Sequence, residues 1–234
     1  MNSKNGLLYR GCMFSTLVTV KLGAVALSNK IFSRKILFLD ICGTITRENT
    51  TLGFLKFIGI TPSFIDLVIG RILWRMFSYD YLRPRLLKKL KNISQVDIYR
   101  LSEKYVSSLK FQKDVLHYVR KYQSEGYEVV IVSATLHPIA KYIAQRLGAS
   151  DCFSSKLAFK KGQCKGMLSE DLLNNKLASV SHLFGFHTAI ISDNYGDYEL
   201  MLYCDERIAI AHSDKDTRYW DNKKIKYIRV HNDE

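Results

Sequence analysis

The chain has 234 residues, 47% hydrophobic and 24% charged, enough apolar material for one good core with a small second lobe and too much for disorder. No apolar run reaches the roughly 20 residues that span a bilayer. The five scattered cysteines (Cys12, Cys42, Cys152, Cys164, Cys204) form no CxxC pair, which disfavours a disulfide framework or zinc site and favours free thiols in a reducing, cytoplasmic compartment. The net charge of +13 is localised: six Lys/Arg and no acid precede Asp40, and residues 47–111 carry twelve Lys/Arg against five Asp/Glu. The rest of the chain balances to zero. A nucleic-acid reading needs a basic face interleaved with stacking aromatics on a recognisable module, and none is present. An anionic substrate or an acidic membrane surface fits the asymmetry better.

Residues 1–34 form a basic, acid-free extension, either transit-like or simply outside the core. The run Lys35–Asp40 reads as a strand covered on both faces, because it is apolar without alternation. Helices follow over 49–110. Phe64, Leu67, Val68, Arg71, Ile72 and Arg75 recur at helical spacing, as do Leu82, Leu86, Leu87 and Leu90; Pro62-Ser63 starts one helix and Pro84 limits another. A helix near 112–125 ends at Gly126, and Tyr127–Val132 is a strand running into Ser133-Ala134-Thr135. The helix Pro138–Leu147 stops at Gly148, and 153–168 reads as a hairpin turning at Lys161-Gly162. Lys176–Phe184 is helical. Thr188–Ile191, Ile208–Ala211 and Ile225–Val230 are strands. Alternating strands and helices predict an α/β class: a three-layer Rossmann-like parallel sheet, with a small inserted α-helical cap and a β-hairpin. The core is 35–48 with 111–234, and the cap is 49–110.

Ligands in such sheets bind beyond the carboxyl ends of the strands. Three predicted ends carry polar chemistry: Asp40 after the first strand, Ser133 after the second, and Asp193 with Asp197 after the third. Lys176 opens the helix before that third strand. Three carboxylates, a hydroxyl and an ammonium at one crevice suit Mg²⁺ and phosphate, since Mg²⁺ selects hard oxygen ligands and the carboxylates need a compensating cation.

These residues, in this order, resemble the haloacid dehalogenase (HAD) superfamily of aspartyl-phosphate phosphotransferases, in particular its phosphoserine phosphatase-like branch. Asp40-Ile41-Cys42-Gly43-Thr44 matches the first motif at its nucleophile and Gly-Thr. Ile131-Val132-Ser133-Ala134-Thr135 matches the second, Lys176 the third, and Ser192-Asp193-Asn194-Tyr195-Gly196-Asp197 the fourth. The resemblance implies that Asp40 is the nucleophile. It implies a metal site from Asp40, the Cys42 backbone carbonyl, Asp193 and Asp197, and a phosphate cradle from Thr44, Ser133, Ala134, Lys176 and Asn194. Lys165 competes with Lys176 for the lysine role, but lies on the predicted hairpin. Tyr195 either lines the cleft or packs.

Cys42 departs from the pattern, for the family's phosphatases carry there an aspartate that protonates the leaving alcohol and activates water. General acid–base catalysis is worth roughly 10²–10⁴-fold, so the expectation is a slow or specialised hydrolase. A catalytically weak phospholigand-binding protein is the alternative. Glu48 lies one residue before the place of the glutamate that phosphoserine enzymes use, and Asn49 occupies that place. The cap is basic and aromatic (Phe54, Phe57, Phe64, Trp74, Phe77, Tyr79, Tyr81). A phosphorylated small molecule, bulkier and more anionic than phosphoserine and either sugar- or lipid-linked, is the expected substrate. Most of those aromatics are expected to pack within the cap.

Overall fold

The computed structural model describes residues 34–77 and 80–230. The expected N-terminal extension (all but Arg34), Cys12, Tyr79 and the side chain of Trp74 lie outside the described residues. Seven strands form one sheet in the order β4-β3-β2-β1-β5-β6-β7: β1 (Lys35–Leu39), β2 (Tyr127–Leu136), β3 (Asp151–Lys160), β4 (Gln163–Glu170), β5 (His187–Ser192), β6 (Glu206–Ala211) and β7 (Tyr227–Arg229). All neighbours run parallel except the β3/β4 hairpin. Strand β1 is central, and its alternating side chains feed two cores. Leu37 and Leu39 point to one cluster, Ile36 and Phe38 to the other. Burial on both faces is why its sequence is continuously apolar.

Helices α5 (Lys113–Ser124) and α6 (His137–Leu147) cover the first face. The second is covered by α7 (Lys176–Val180), α8 (Tyr198–Leu202) and α9 (Asp214–Asn222), with Trp220 fully buried. Gly148 ends α6 in the left-handed conformation at φ 64°, the usual role of glycine at a helix stop. The register sets the site: Leu39 pairs with Ile131 on one side and Ile191 on the other. Asp40, Ser133 and Asp193 therefore lie within a residue of one another along the strand direction.

Between β1 and α5 the chain makes four more helices, α1 (Thr50–Phe57), α2 (Phe64–Phe77), α3 (Leu82–Leu87) and α4 (Gln95–Ser108). Asn49 caps α1 through Leu52 N–H, and Ser94 caps α4 through Asp97 N–H, each satisfying an otherwise unpaired helix-terminal donor. The insert is sewn to the hairpin by backbone hydrogen bonds. Asn92 N–H donates to Cys164 O (2.9 Å), Cys164 N–H to Ile93 O (2.9 Å) and Gln95 N–H to Gly162 O (2.8 Å). From α3, the Arg83 guanidinium, only 10% exposed, pairs with Asp171 at 2.6 Å beyond β4 and with Asp80 at 2.8 Å.

Several elements differ from expectation. Strand β2 continues through Thr135 to Leu136, with a register shift between Ser133 and Leu136. The hairpin is the edge of the main sheet, because β3 pairs with β2 from Asp151. The expected helix Lys176–Phe184 is α7 plus a 3₁₀ turn over Ser181–Leu183. The aromatics divide: Phe54 is buried, while Phe64 and Phe77 are exposed, contrary to the expectation that most pack inside the cap.

Gly166 marks where hairpin and insert touch. At φ 73° it adopts a conformation that side chains disfavour, and a Cβ there would sit 3.0 Å from the Lys88 backbone. Gly166→Ala is expected to destabilise the fold by about 1–3 kcal/mol, read as a fall in the midpoint of urea unfolding. An unchanged midpoint would mean that the contact is slack.

Candidate active site

The turn after β1 is a tight one: Thr44 and Thr46 N–H groups both donate to Ile41 O (3.2 and 3.0 Å). Gly43 permits it at φ 73°, and a Cβ there would fall 1.9 Å from Asp193 Oδ2. The missing side chain is the space that Asp193 occupies. Thr44 then fixes Asp193 twice, donating its hydroxyl to Oδ1 (3.1 Å) and accepting from the Asp193 N–H (2.9 Å). Fully buried, Thr44 is committed to Asp193 rather than open to a substrate.

Asp40 is 5% exposed, Asp197 4% and Lys176 6%. Lys176 Nζ lies 3.1 Å from Asp40 Oδ2 and 2.7 Å from Asp197 Oδ2, and Ser192 Oγ donates to that same Asp197 oxygen at 2.6 Å. Burial alone would lower the lysine's pKa, but Asp40 and Asp197 outweigh it and hold the ammonium charged. Burial, and then Asp40, push the Asp193 carboxyl up to about 7. Asp197 is also raised by burial, against the opposing pull of Lys176. Three carboxylates face one ammonium, so the fully ionised cluster is two charges negative.

That deficit is what a divalent cation supplies, and the Gly43 clearance keeps the Asp193 carboxylate beside the Asp40 loop. No group of three or more His, Cys, Asp or Glu side chains among the described residues forms a ready metal cage. Mg²⁺ does not require one, since it usually keeps several waters and uses one or two carboxylates plus a substrate phosphate. Asp40 and Asp193 fit that description. Asp197, already bound by Lys176 and Ser192, is the weaker donor.

On the other flank, Cys42 Sγ lies 3.2 Å from Thr50 Oγ1 and 3.3 Å from Thr135 Oγ1, and accepts from Thr50 N–H at 3.3 Å. The two threonine hydroxyls are 2.9 Å apart, and Ser133 Oγ donates to Thr135 Oγ1 at 3.1 Å. A chain of neutral hydroxyls thus joins Cys42 to Ser133. Burial, then Asp40, raise the thiol above its ordinary value, so at neutral pH Cys42 is uncharged.

The structure brings together Asp40, Thr44, Lys176, Asp193 and Asp197, and joins Cys42 to Ser133. Ala134 presents its carbonyl to Arg83 at 3.4 Å. Asn194 is exposed, its side chain accepting from Gly196 N–H to cap the turn, and is not drawn to Asp40. Lys165 is exposed on β4. Tyr195 packs, stacked on Tyr219 with ring centroids 4.0 Å apart and its hydroxyl on Asp216. Gln112 and His212 were not anticipated. Gln112 Nε2 donates to Gly43 O (3.2 Å) and Thr44 O (2.5 Å), and His212 Nε2 donates to Gly43 O at 2.6 Å, 3.9 Å from Asp193. Neither sits in a motif; only the position of His212 just beyond β6, a further strand end, pointed to it.

The family described as haloacid dehalogenase-like hydrolase matches residues 37–202. A protein of unknown function from Bordetella pertussis Tohama I has the same fold at a TM-score of 0.69 and 16% identity, covering 83% of this chain and 98% of that one. Phosphoserine phosphatase, held as an analogue of its phospho-aspartyl intermediate, superposes at 0.60 with 16% identity over 84% of this chain and 93% of its own. A HAD family hydrolase from Salmonella enterica serovar Typhi gives 0.63 at 13% identity, over 93% and 77%. No curated protein sequence matches the chain. At these identities the structural likeness is one of fold.

Asp193 dictates a pH dependence. Its folded pKa near 7 lies above the unfolded value of about 3.9, so the native state holds a proton that the unfolded state has released. Stability in metal-free solution therefore falls as pH rises from about 4 through 7. Asp193→Asn should flatten that fall in urea titrations with chelator present; an identical slope in both proteins would contradict the raised carboxyl.

Proposed function

This chain belongs to the haloacid dehalogenase-like hydrolases, and we propose that it cleaves a phosphate monoester through Asp40, with Mg²⁺ as companion ion. The observation that carries the reading is the buried Asp40–Lys176–Asp197 array beside Asp193. Asp40, Asp193 and the Cys42 carbonyl would hold the ion, with Asp197 behind them. When bound, the ion neutralises phosphoryl charge. Asp40 attacks phosphorus, the bond to the alcohol oxygen breaks, and an acyl phosphate forms on the Asp40 carboxylate. Lys176 holds Asp40 in place and offers its ammonium to the phosphoryl oxygens; Ser133 donates to another. The departing alkoxide needs a proton, and in the second step water must lose one.

Cys42 sets the limit on both transfers. A neutral, hydroxyl-bound thiol is a poor acid and has no carboxylate with which to activate water. Hydrolysis is consequently slow, and esters of acidic alcohols react best. The same observation favours a second reading, a phospholigand-binding protein with weak turnover. A substrate larger than phosphoserine is supported by a cavity of about 320 Å³ in the insert, lined by Glu48, Leu52, Lys56, Pro62, Leu67 and Leu82, mostly apolar with one carboxylate and one ammonium. A sugar- or lipid-linked phosphate suits that mixture.

Asp40 is expected to trap beryllofluoride with Mg²⁺, and Asp40→Asn to abolish both trapping and turnover of an aryl phosphate. Wild-type protein that neither traps nor turns over would leave the binding reading. Cys42→Asp should raise kcat by about 10²-fold or more; no gain would place the limitation elsewhere than proton transfer.

A further inference from the structure

Helix α2 is built inside out. Phe64, Val68, Ile72 and Met76 form an i, i+4 row and Ile65 lies beside it, so the five share about a third of the helix circumference. All are exposed, from 42% at Val68 to 80% at Phe64. The opposite side carries the helix's one acid, Asp66, which is buried and paired with Arg85 at 2.5 Å. Gly70 lies on that side too, where a Cβ would meet Leu82 Cγ at 2.7 Å. Asp66 and Gly70 thus turn toward α3 while the apolar row faces outward; Leu67, Ile69 and Phe77, off the row, are exposed as well. Arg71 lies at one edge of that row and Arg75 just inside the same edge, both exposed, and neither forms an ion pair among the described residues.

We propose that α2 docks the protein on an anionic lipid surface, its apolar row entering the headgroup boundary and Arg71 and Arg75 meeting lipid phosphates. An apolar face with arginines along one side fits an interfacial helix, and the basic excess of residues 47–111 gives the whole insert the complementary charge. Charge also argues against a second copy as occupant. Self-pairing of α2 would bring arginines against arginines, with no outward acid to offset them. At about 20 Å long, the helix lies along a membrane; no helix among the described residues is long and apolar enough to cross one.

The test uses the full chain and phosphatidylcholine vesicles with or without about one third phosphatidylglycerol, scored by co-sedimentation, which needs no turnover and so stands apart from the catalytic reading. Binding is expected to the anionic vesicles, weakening at high salt. A V68E/I72E double variant and an R71E/R75E double variant should each reduce partition by about tenfold or more, with unchanged thermal melts, since none of the four side chains is buried. Three outcomes would overturn the proposal. These are wild-type protein that sediments with neither vesicle; both variants binding as wild type does, which assigns the contact to another basic segment; and a stable dimer that V68E/I72E splits, which assigns the face to a second copy.

Discussion

A buried ammonium between two carboxylates organises this molecule. Removing Lys176 would strand Asp40 and Asp197 without a counter-charge in a site nearly closed to water, and breaking such a pair costs about 3–5 kcal/mol. The lysine comes from the first turn of α7, the acids from the ends of β1 and the turn beyond β5, so one side chain ties three chain segments together. It leaves Asp193 out of that pairing. The site is therefore balanced for some of its charge and open for the rest, which is a physical definition of a place for a cation.

The first turn is held from both sides by groups of different character. On the Asp193 side the contacts are polar and directional, through Thr44, Gln112 and His212 to the carboxylate and the Gly43 carbonyl. On the Cys42 side they are neutral, a thiol among hydroxyls. A thiol at position 42 adds no further buried negative charge to the site, and the hydroxyls of Thr50 and Thr135 hydrogen-bond with it.

The fold was legible because its signals are local. Ile36 to Leu39 are apolar without alternation, and only a strand buried on both faces wants that pattern. The strand and helix readings put Asp40 and Asp193 just beyond β1 and β5 and Lys176 at the start of a helix, which is where the structure has them. What escaped depends on distance in sequence. Gln112 and His212 reach Gly43 across about 70 and 170 residues, and no spacing rule links them. Thr44 was readable as polar and close, but not as wholly used by Asp193. Helix α2 misled in an instructive way: its periodicity announced a helix correctly, yet periodicity does not say which face turns inward. Gly70 and Asp66, the residues that did turn inward, are those a hydrophobic pattern discounts.

The stitching of insert to hairpin has a mechanical consequence. Swinging the insert away as a lid would break the three backbone bonds between Asn92, Ile93 or Gln95 and the hairpin strands, along with the Arg83–Asp171 pair. Each such bond is worth about 0.5–1.5 kcal/mol net, and they would have to open together. The second half of the insert and the sheet edge are therefore held as one frame, while α1 and α2 lie outside those bonds.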